Sequence, residues 1–455
     1  MSQPELRRDI SAFQAVMILV GYIVGSAIFI LVGPLAGMVG PGLFLAFVIA
    51  AVPAVFACLY NAQLANLLPV TGANYIAISR FVHPFAGWMG GGILIAIFFG
   101  LASIAWGFAL FLEYLIPGIP TMPVALGVVL LFGIVNIFGI RVAAWIQTSM
   151  VALFILALVI FVFGGFSNID PGLQRPLLPN GIGALLTTAV IAYMTYTGFT
   201  VITEISGEIK NPRRNIPEVL AISFLLIMIL YVTVTWVLTG VMPWQDLGNS
   251  QAALVEASKG FLPPGATIFI AVGGLLAAAT TINGIFVATP RDLLVYGRDK
   301  VLPGFVGHIN QRFGTPHGAI MLTLIAGLAG VSIGMRIEDY ALFTVMCFMI
   351  FHILVVTGML RMEKQMPQLG DAAPWKLGRI ARKIVYFGTL LFSVLFLVVG
   401  LSTLDFFGIA LFICLFATGC CYYLIRWLYF RGKGIDIVQE ARAFTDMTIS
   451  ELEAE

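Results

Sequence analysis

Gly21-Tyr22-Ile23-Val24-Gly25-Ser26-Ala27-Ile28-Phe29 and Tyr193-Met194-Thr195-Tyr196-Thr197-Gly198-Phe199 are the two stretches that decide the fold. Each carries a short glycine-centred break, Gly25-Ser26-Ala27 or Thr197-Gly198-Phe199. Each break interrupts an apolar run of helix length, Val16 to Gly37 and Ile182 to Ser206. A broken helix strands backbone N–H and C=O groups, which must find partners elsewhere. Lipid offers none, so at membrane depth a break survives only where it lines a cavity.

Composition places these runs in a membrane. Of 455 residues, 60% are hydrophobic and 10% charged, against roughly 25% charged in soluble domains. The chain reads as an all-α integral membrane protein with little mass outside the bilayer. A spanning helix needs about 20 mostly apolar residues. Twelve segments qualify, at 12–36, 41–68, 84–115, 122–139, 143–166, 183–206, 218–241, 266–295, 317–335, 339–361, 383–402 and 405–430. With residues 1–11 and the tail 431–455 on the cytoplasmic side, only Arg175, Lys259 and Arg336 of the 24 Lys and Arg residues fall outside. Such a bias towards the inside is the rule for membrane proteins. It predicts a multi-pass protein of the cell membrane with both termini cytoplasmic. Arg7 and Arg8 precede a first segment that reads as a retained helix, because no small-residue cleavage site follows a short apolar run. The five cysteines, Cys58, Cys347, Cys414, Cys420 and Cys421, lie in apolar segments without zinc spacing and read as small core residues. In the tail, Ile435, Ile437, Val438 and Ala441 could make one short surface helix.

Paired breaks in matching segments of two halves point to the substrate site of a transporter. Several motifs then fall in order along residues 10–430. Gly21 to Phe29 resembles the first-helix Gly-Ser-Gly-Ile-Phe pattern of the amino acid–polyamine–organocation (APC) family, with Ala27 in place of the second glycine. Leu68-Pro69-Val70-Thr71-Gly72-Ala73-Asn74-Tyr75 resembles its second-helix exit. Gly198-Phe199 followed by Gly207-Glu208-Ile209-Lys210-Asn211-Pro212 resembles its sixth-helix signature, and Arg298-Asp299-Lys300-Val301-Leu302-Pro303 the loop after its eighth helix. The resemblance implies a five-plus-five inverted repeat: residues 12–166 as repeat 1, 183–361 as repeat 2, and 383–430 as two helices outside it. It implies segments 1 and 6 unwound at mid-membrane, secondary active transport by alternating access, and a small amino acid or amine as cargo.

A half-helix N-terminus presents free N–H groups and binds anions. The N–H groups of Ser26, Ala27 and Ile28, after Gly25, suit a substrate carboxylate. The carbonyls of Ile23 and Val24, with those of Met194, Tyr196 and Thr197 beside Gly198, suit an ammonium group. Tyr193, Met194, Phe199 and Trp106 are candidate walls or gates. The blander reading is that Gly25 and Gly198 only permit close helix packing.

The eighth segment reads Ala277-Ala278-Ala279-Thr280-Thr281, with Ala277, Thr280 and Thr281 on one helix face. In related inverted-repeat transporters a sodium site takes two first-helix carbonyls, one eighth-helix carbonyl and two hydroxyls. Gly21, Val24, Ala277, Thr280 and Thr281 match that set, all neutral oxygens of the kind hard cations prefer. The threonines could instead bond their own helix. Some proton-coupled relatives fill this position with a fifth-helix lysine, and residues 143–165 hold neither Lys nor Arg. Sodium is therefore favoured over a proton as coupling ion.

An ionisable residue inside a membrane is functional by default. Glu204 could relay a proton or draw a cationic amine; it could also sit wet at the inner boundary, too deep to meet a substrate. His352 reads as a packed, hydrogen-bonded histidine, and Asp405 as the outer end of the last segment.

With no fixed charge among the other named positions, the cargo is expected to be a neutral L-amino acid, imported by cation symport. An exchanger or an amine or polyamine transporter on the same fold is the alternative. No nucleic-acid-binding feature is present. A membrane enzyme is disfavoured, since no metal spacing, phosphate loop or Ser-His-Asp set occurs and no connection could house a catalytic domain. Paired broken helices without a ring of charges argue against a channel.

Overall fold

The computed structural model describes residues 10–440 except 26, 91–92 and 373–375. Ser26 and the ends at 1–9 and 441–455, Ala441 included, lie outside the described residues. Among those described there is no β-strand, only two isolated bridges, Ile10 to Ile209 and Asn310 to Thr315.

Helix α1, Ala12–Val24, opens at Ser11, whose hydroxyl accepts from the Gln14 N–H while the Gln14 side chain accepts from the Ser11 N–H. This reciprocal cap fixes where the helix starts. It stops at Gly25, whose backbone sits at φ 31°. Helix α2, Ala27–Ile30, and α3, Val32–Val39, continue beyond. Then follow α4, Leu43–Leu67, α5, Ala73–Phe81, α6, Pro84–Gly90, α7, Ile93–Leu115, α8, Thr121–Ile137, and α9, Ile140–Phe166.

The second half of the chain opens with α10, Gly181–Tyr193. A 3-10 turn at Met194–Tyr196 precedes an extended Thr197 and Gly198 at φ 125°, and one helical turn, α11, Val201–Glu204, follows. Thr195 and Thr197 turn their hydroxyls back onto the carbonyls of Ala192 and Met194, at 2.7 Å each. Those bonds compete with the helical ladder and begin the interruption four residues before the glycine. After α12, Pro212–Val241, the connection at 242–265 holds two short helices, α13, Trp244–Asn249, and α14, Ala253–Ser258. Next come α15, Pro264–Arg298, α16, His317–Ile333, α17, Ile337–Gln365, α18, Pro367–Ala372, α19, Arg379–Thr403, and α20, Phe406–Arg431.

Ten helical stretches among the described residues are long and apolar enough to cross a membrane. The shorter apolar helices α8 and α16 occupy the fourth and ninth expected segments. Other differences are local. The exit at residues 68–75 turns at Gly72 into α5. Helices α15 and α17 run past the expected 295 and 361 to Arg298 and Gln365. The cysteine reading needs correction for three of five: Cys58 and Cys347 are buried, but Cys414, Cys420 and Cys421 are exposed on α20. That helix packs mainly through one edge and turns its apolar side chains outward, Phe406 being 88% exposed.

The bundle packs α1 against α9, α12 and α15, α4 against α10 and α12, and α7 against α16 and α17. A buried amide ladder ties α8, α15 and α9: Asn136 Nδ2 donates to Asn283 Oδ1 at 2.8 Å, and Asn283 Nδ2 to Gln147 Oε1 at 2.9 Å. Away from water each such bond also spares the desolvation penalty of an unpaired amide. These long helices hold the two interrupted ones between them.

Candidate functional site

Gly25 and Gly198 are glycine for two reasons at once. Both have positive φ, which costs a residue with a Cβ steric strain. Both also lack room: a Cβ on Gly25 would collide with the Thr281 hydroxyl, and one on Gly198 with the ring of Tyr22. Gly25 thus faces α15 and Gly198 faces α1, with Tyr22 between Gly198 and Gly284 of α15.

A cavity of about 1000 Å³, counted out to its mouth, lies against both breaks. Tyr22, Ile23 and Ile30 line it from the first interrupted helix, and Met194, Thr197, Thr200 and Glu204 from the second. Helix α7 adds Gly100 and Ser103, α15 adds Thr281, Ile285 and Thr289, and α17 adds Thr344, Cys347 and Phe348. Among the described residues the wall is mostly apolar with a few hydroxyls and a single acidic group, the usual character of a small-molecule site.

The carbonyls proposed for an ammonium are partly engaged. Tyr231 of α12 donates its hydroxyl to Ile23 O at 3.0 Å and to Thr195 O at 2.8 Å, bridging the two breaks. Met194 O accepts both the N–H and the hydroxyl of Thr197, at 3.1 and 2.7 Å. A carbonyl has two lone pairs, so Met194 O is filled and Ile23 O keeps one. Val24 and Ile28 are fully buried.

Of the gate candidates, Met194 lines the cavity and the others lie outside its described wall. Trp106 donates Nε1 to Val331 O of α16 at 3.0 Å. Phe199 packs on Phe224 with ring centres 5.9 Å apart. Tyr196 is buried edge-on against Tyr231 at 5.0 Å. Tyr193 reaches His352 Nε2 at 2.9 Å, while Tyr60 reaches His352 Nδ1 at 2.5 Å. His352 is thus the packed, doubly bonded histidine expected, joining α4, α10 and α17.

Thr280 Oγ1 lies 2.9 Å from Gly21 O and 2.6 Å from Ala277 O. Thr281 Oγ1 lies 3.4 Å from Gly21 O, 3.2 Å from Tyr22 O and 3.5 Å from Ala277 O. Four of the five expected neutral oxygens therefore converge between α1 and α15, and their chemistry fits a hard cation. The hydroxyl hydrogens bridge these same oxygens, so the threonines bond their own helix and the neighbouring one together.

Glu204 is 5% exposed and lines the cavity. Helix α11 packs against α15, whose Asp292 is its acidic neighbour. Asp292 is 1% exposed. Sequence reasoning missed it, although Thr281, Ile285, Thr289 and Asp292 recur at helical spacing and the first three line the cavity. Beyond Glu204 the structure closes. Arg291 Nε meets Glu208 Oε1 at 2.9 Å with both side chains 1% exposed. Ser206 Oγ donates to Val70 O at 2.9 Å, Asn74 Nδ2 donates to Thr203 Oγ1, and Ile10 N donates to Glu208 O at 3.0 Å.

Ten candidate spans among the described residues, with a cavity flanked by two interrupted helices, mark a multi-pass membrane protein. Residues 10–440 match the amino acid permease family, and the chain belongs to that family, within the APC superfamily. It is 24% identical to the methylthioribose transporter of Bacillus subtilis (strain 168), over 80% of this chain and 83% of that one. It is 26% identical to the branched-chain amino acid permease BcaP of Lactococcus lactis subsp. cremoris (strain MG1363), over 86% of this chain and 92% of that one. To the vacuolar cationic amino acid transporter 4 of Arabidopsis thaliana it is 28% identical, over 69% of this chain and 56% of that one. The family match and these relatives support amino acid transport as the chain's general function.

Proposed function

We propose that the chain imports neutral L-amino acids across the cell membrane by cation-coupled symport with alternating access. The cavity between the two breaks carries this reading. Its wall offers apolar and hydroxyl groups to a side chain, and the one acidic group among its described residues, Glu204, has Asp292 as an acidic neighbour. The N–H groups at the start of α2, those of Ala27 and Ile28 with Ser26, take the carboxylate, and the open lone pair on Ile23 O helps hold the ammonium. BcaP of Lactococcus lactis, a branched-chain permease by name, supports an aliphatic cargo.

Residues 12–166 and 183–361 act as two inverted repeats, and both termini lie in the cytoplasm. Sodium couples transport through Gly21, Val24, Ala277, Thr280 and Thr281. When bound there the ion pulls α1 towards α15, which shapes the neighbouring break. On this orientation the Arg291–Glu208 pair closes the cytoplasmic side.

The second reading is an amine transporter or an exchanger, favoured by the carboxyl of Glu204 in the cavity wall. A thermal-shift screen of purified protein separates them. L-leucine and L-valine should raise the midpoint, more in sodium chloride than in choline chloride, because a ligand that binds only the folded state stabilises it. Stabilisation by amines or polyamines and not by amino acids would support the second reading instead.

A further inference from the structure

We propose that His352 is a positioning residue for the cavity: its imidazole fixes Tyr193 at the broken end of α10, and through it the stance of Met194 against Phe348 and Phe351, and so decides how large a side chain the cavity admits. The proposal rests on the cavity being the cargo site, and it adds what selects among neutral amino acids there.

The backbone sets the need. The last turn of a helix lacks the hydrogen bonds that would hold it from ahead. Tyr193 is the last residue of α10, followed by the 3-10 turn Met194–Tyr196 and the extended Thr197. The regular ladder therefore holds it from one side, and a side-chain bond can supply the missing restraint. Met194, the next residue, lines the cavity.

His352 supplies that bond. Its Nε2 lies 2.9 Å from the Tyr193 hydroxyl and its Nδ1 2.5 Å from the Tyr60 hydroxyl. All three side chains are buried. A buried imidazolium needs a carboxylate partner, and the groups bonded to this ring are two phenols. The ring therefore carries one N–H, so it accepts from one hydroxyl and donates to the other. The distances assign the roles, because a bond donated by a hydroxyl is shorter than one donated by a ring N–H. Tyr60 of α4 donates to Nδ1, and Nε2–H donates to Tyr193. The imidazole is anchored on α4 and holds a fixed donor towards α10.

The same ring backs the cavity wall. Phe348 lies one helical turn before His352 on α17, and Phe351 directly before it. Their ring centres are 6.2 and 5.9 Å from the imidazole, and both line the cavity. Tyr193 also packs edge-on against Phe396 of α19 at 5.5 Å, a contact that survives loss of its hydroxyl. One imidazole thus joins the aromatic wall on α17 to the end of the second interrupted helix. Without its N–H, Tyr193 and Met194 stand off from that wall and the cavity widens.

Full-length protein in proteoliposomes tests this as wild type, His352→Gln, His352→Leu, Tyr193→Phe and the double variant His352→Leu with Tyr193→Phe. The Gln amide keeps one acceptor and one donor for the two hydroxyls, Leu keeps neither, and Phe removes only the hydroxyl on α10. KM and maximal rate are measured for L-valine and L-phenylalanine. His352→Leu and Tyr193→Phe should each raise the ratio of KM for L-valine to KM for L-phenylalanine several-fold, with maximal rates changing less. His352→Gln should restore most of the wild-type ratio. The double variant should shift the ratio no further than either single one, since all three remove the same bond. A lowered thermal midpoint with an unchanged ratio, or additive shifts in the double variant, would overturn the proposal. A readout without cargo is alkylation of Met194→Cys by a small water-soluble thiol reagent, in a chain whose own five cysteines are replaced by Ser. Adding His352→Leu or Tyr193→Phe should speed that reaction several-fold, and an unchanged rate overturns the positioning role. If wild type takes up neither amino acid, the cargo reading fails while the alkylation rate still decides the role of His352. If His352→Leu does not fold, Tyr193→Phe gives the same decision.

Discussion

Gly25 and Gly198 show how much one missing methyl group can carry. Each combines a positive φ with a neighbour seated where a side chain would go. A strained backbone of this kind costs about 1–3 kcal/mol for a residue with a Cβ, and a β-branched residue adds a steric clash. Gly25→Val and Gly198→Val should each abolish substrate-dependent uptake while protein still reaches the membrane. Normal uptake by either variant would count against the breaks as the substrate site. Thr280 and Thr281 set the next test, since their hydroxyls join α1 to α15 through Gly21 and Tyr22. Thr280→Ala with Thr281→Val should remove sodium-dependent stabilisation and cut uptake at low sodium by tenfold or more, read as a raised half-saturating sodium concentration. Wild-type uptake that is equal in sodium and choline media would sink the sodium assignment. At this scale the sequence was readable where a residue type is unusual for its surroundings: glycine in an apolar run, paired threonines on one face, a glutamate at depth. It was silent where the meaning is relational. Nothing in the sequence ties Tyr231 to Ile23 and Thr195, or Asp292 to Glu204, because those partners are brought together only by packing.

Among elements, the stretch from α11 to α12 is tied to α15 by a buried ion pair. Its buried pair, Arg291 with Glu208, costs little while both charges are present and much once one is removed, about 3–5 kcal/mol. Glu208→Ala should therefore lower the thermal midpoint of detergent-purified protein sharply, whereas Arg291→Met with Glu208→Leu should recover most of it. Equal losses in the single and double variants would mean that the pair acts through shape and not charge. The end of α15 makes a pH prediction. Asp299, just past the span, is pushed up to about 7 by burial, partly offset by the nearby Tyr75 hydroxyl. The folded state thus binds a proton that the unfolded chain, titrating near 3.8, releases. Stability from this group is present at low pH and falls as pH rises from about 4 to about 7. The thermal midpoint of wild type should drop between pH 5 and 7, and Asp299→Asn should flatten that slope; an identical slope in the variant refutes it. Apolar length and Lys/Arg placement made the long helices legible. The short ones, α5, α13, α14 and α18, were not, because helices of six to nine residues leave no clear period and form only against neighbours.

For the whole molecule, the amino acid permease family and the multi-pass bundle bear out the class that the motifs implied. The cavity could not have been outlined beforehand, since its walls come from helices far apart in the chain: Ser103, Thr281 and Thr344 meet Met194 only in the folded bundle. For the same reason Trp106, a reasonable gate by size, turns out bonded to Val331. The claim that joins all scales is that the two breaks hold a zwitterion. The direct measurement is uptake of labelled L-leucine into proteoliposomes, competed with unlabelled L-leucine or with its decarboxylated amine. The account predicts saturable uptake that excess L-leucine suppresses and that the amine leaves nearly intact, because the N–H groups at the start of α2 lose their anion. Equal competition by the amine, or no saturable uptake at all, would contradict it.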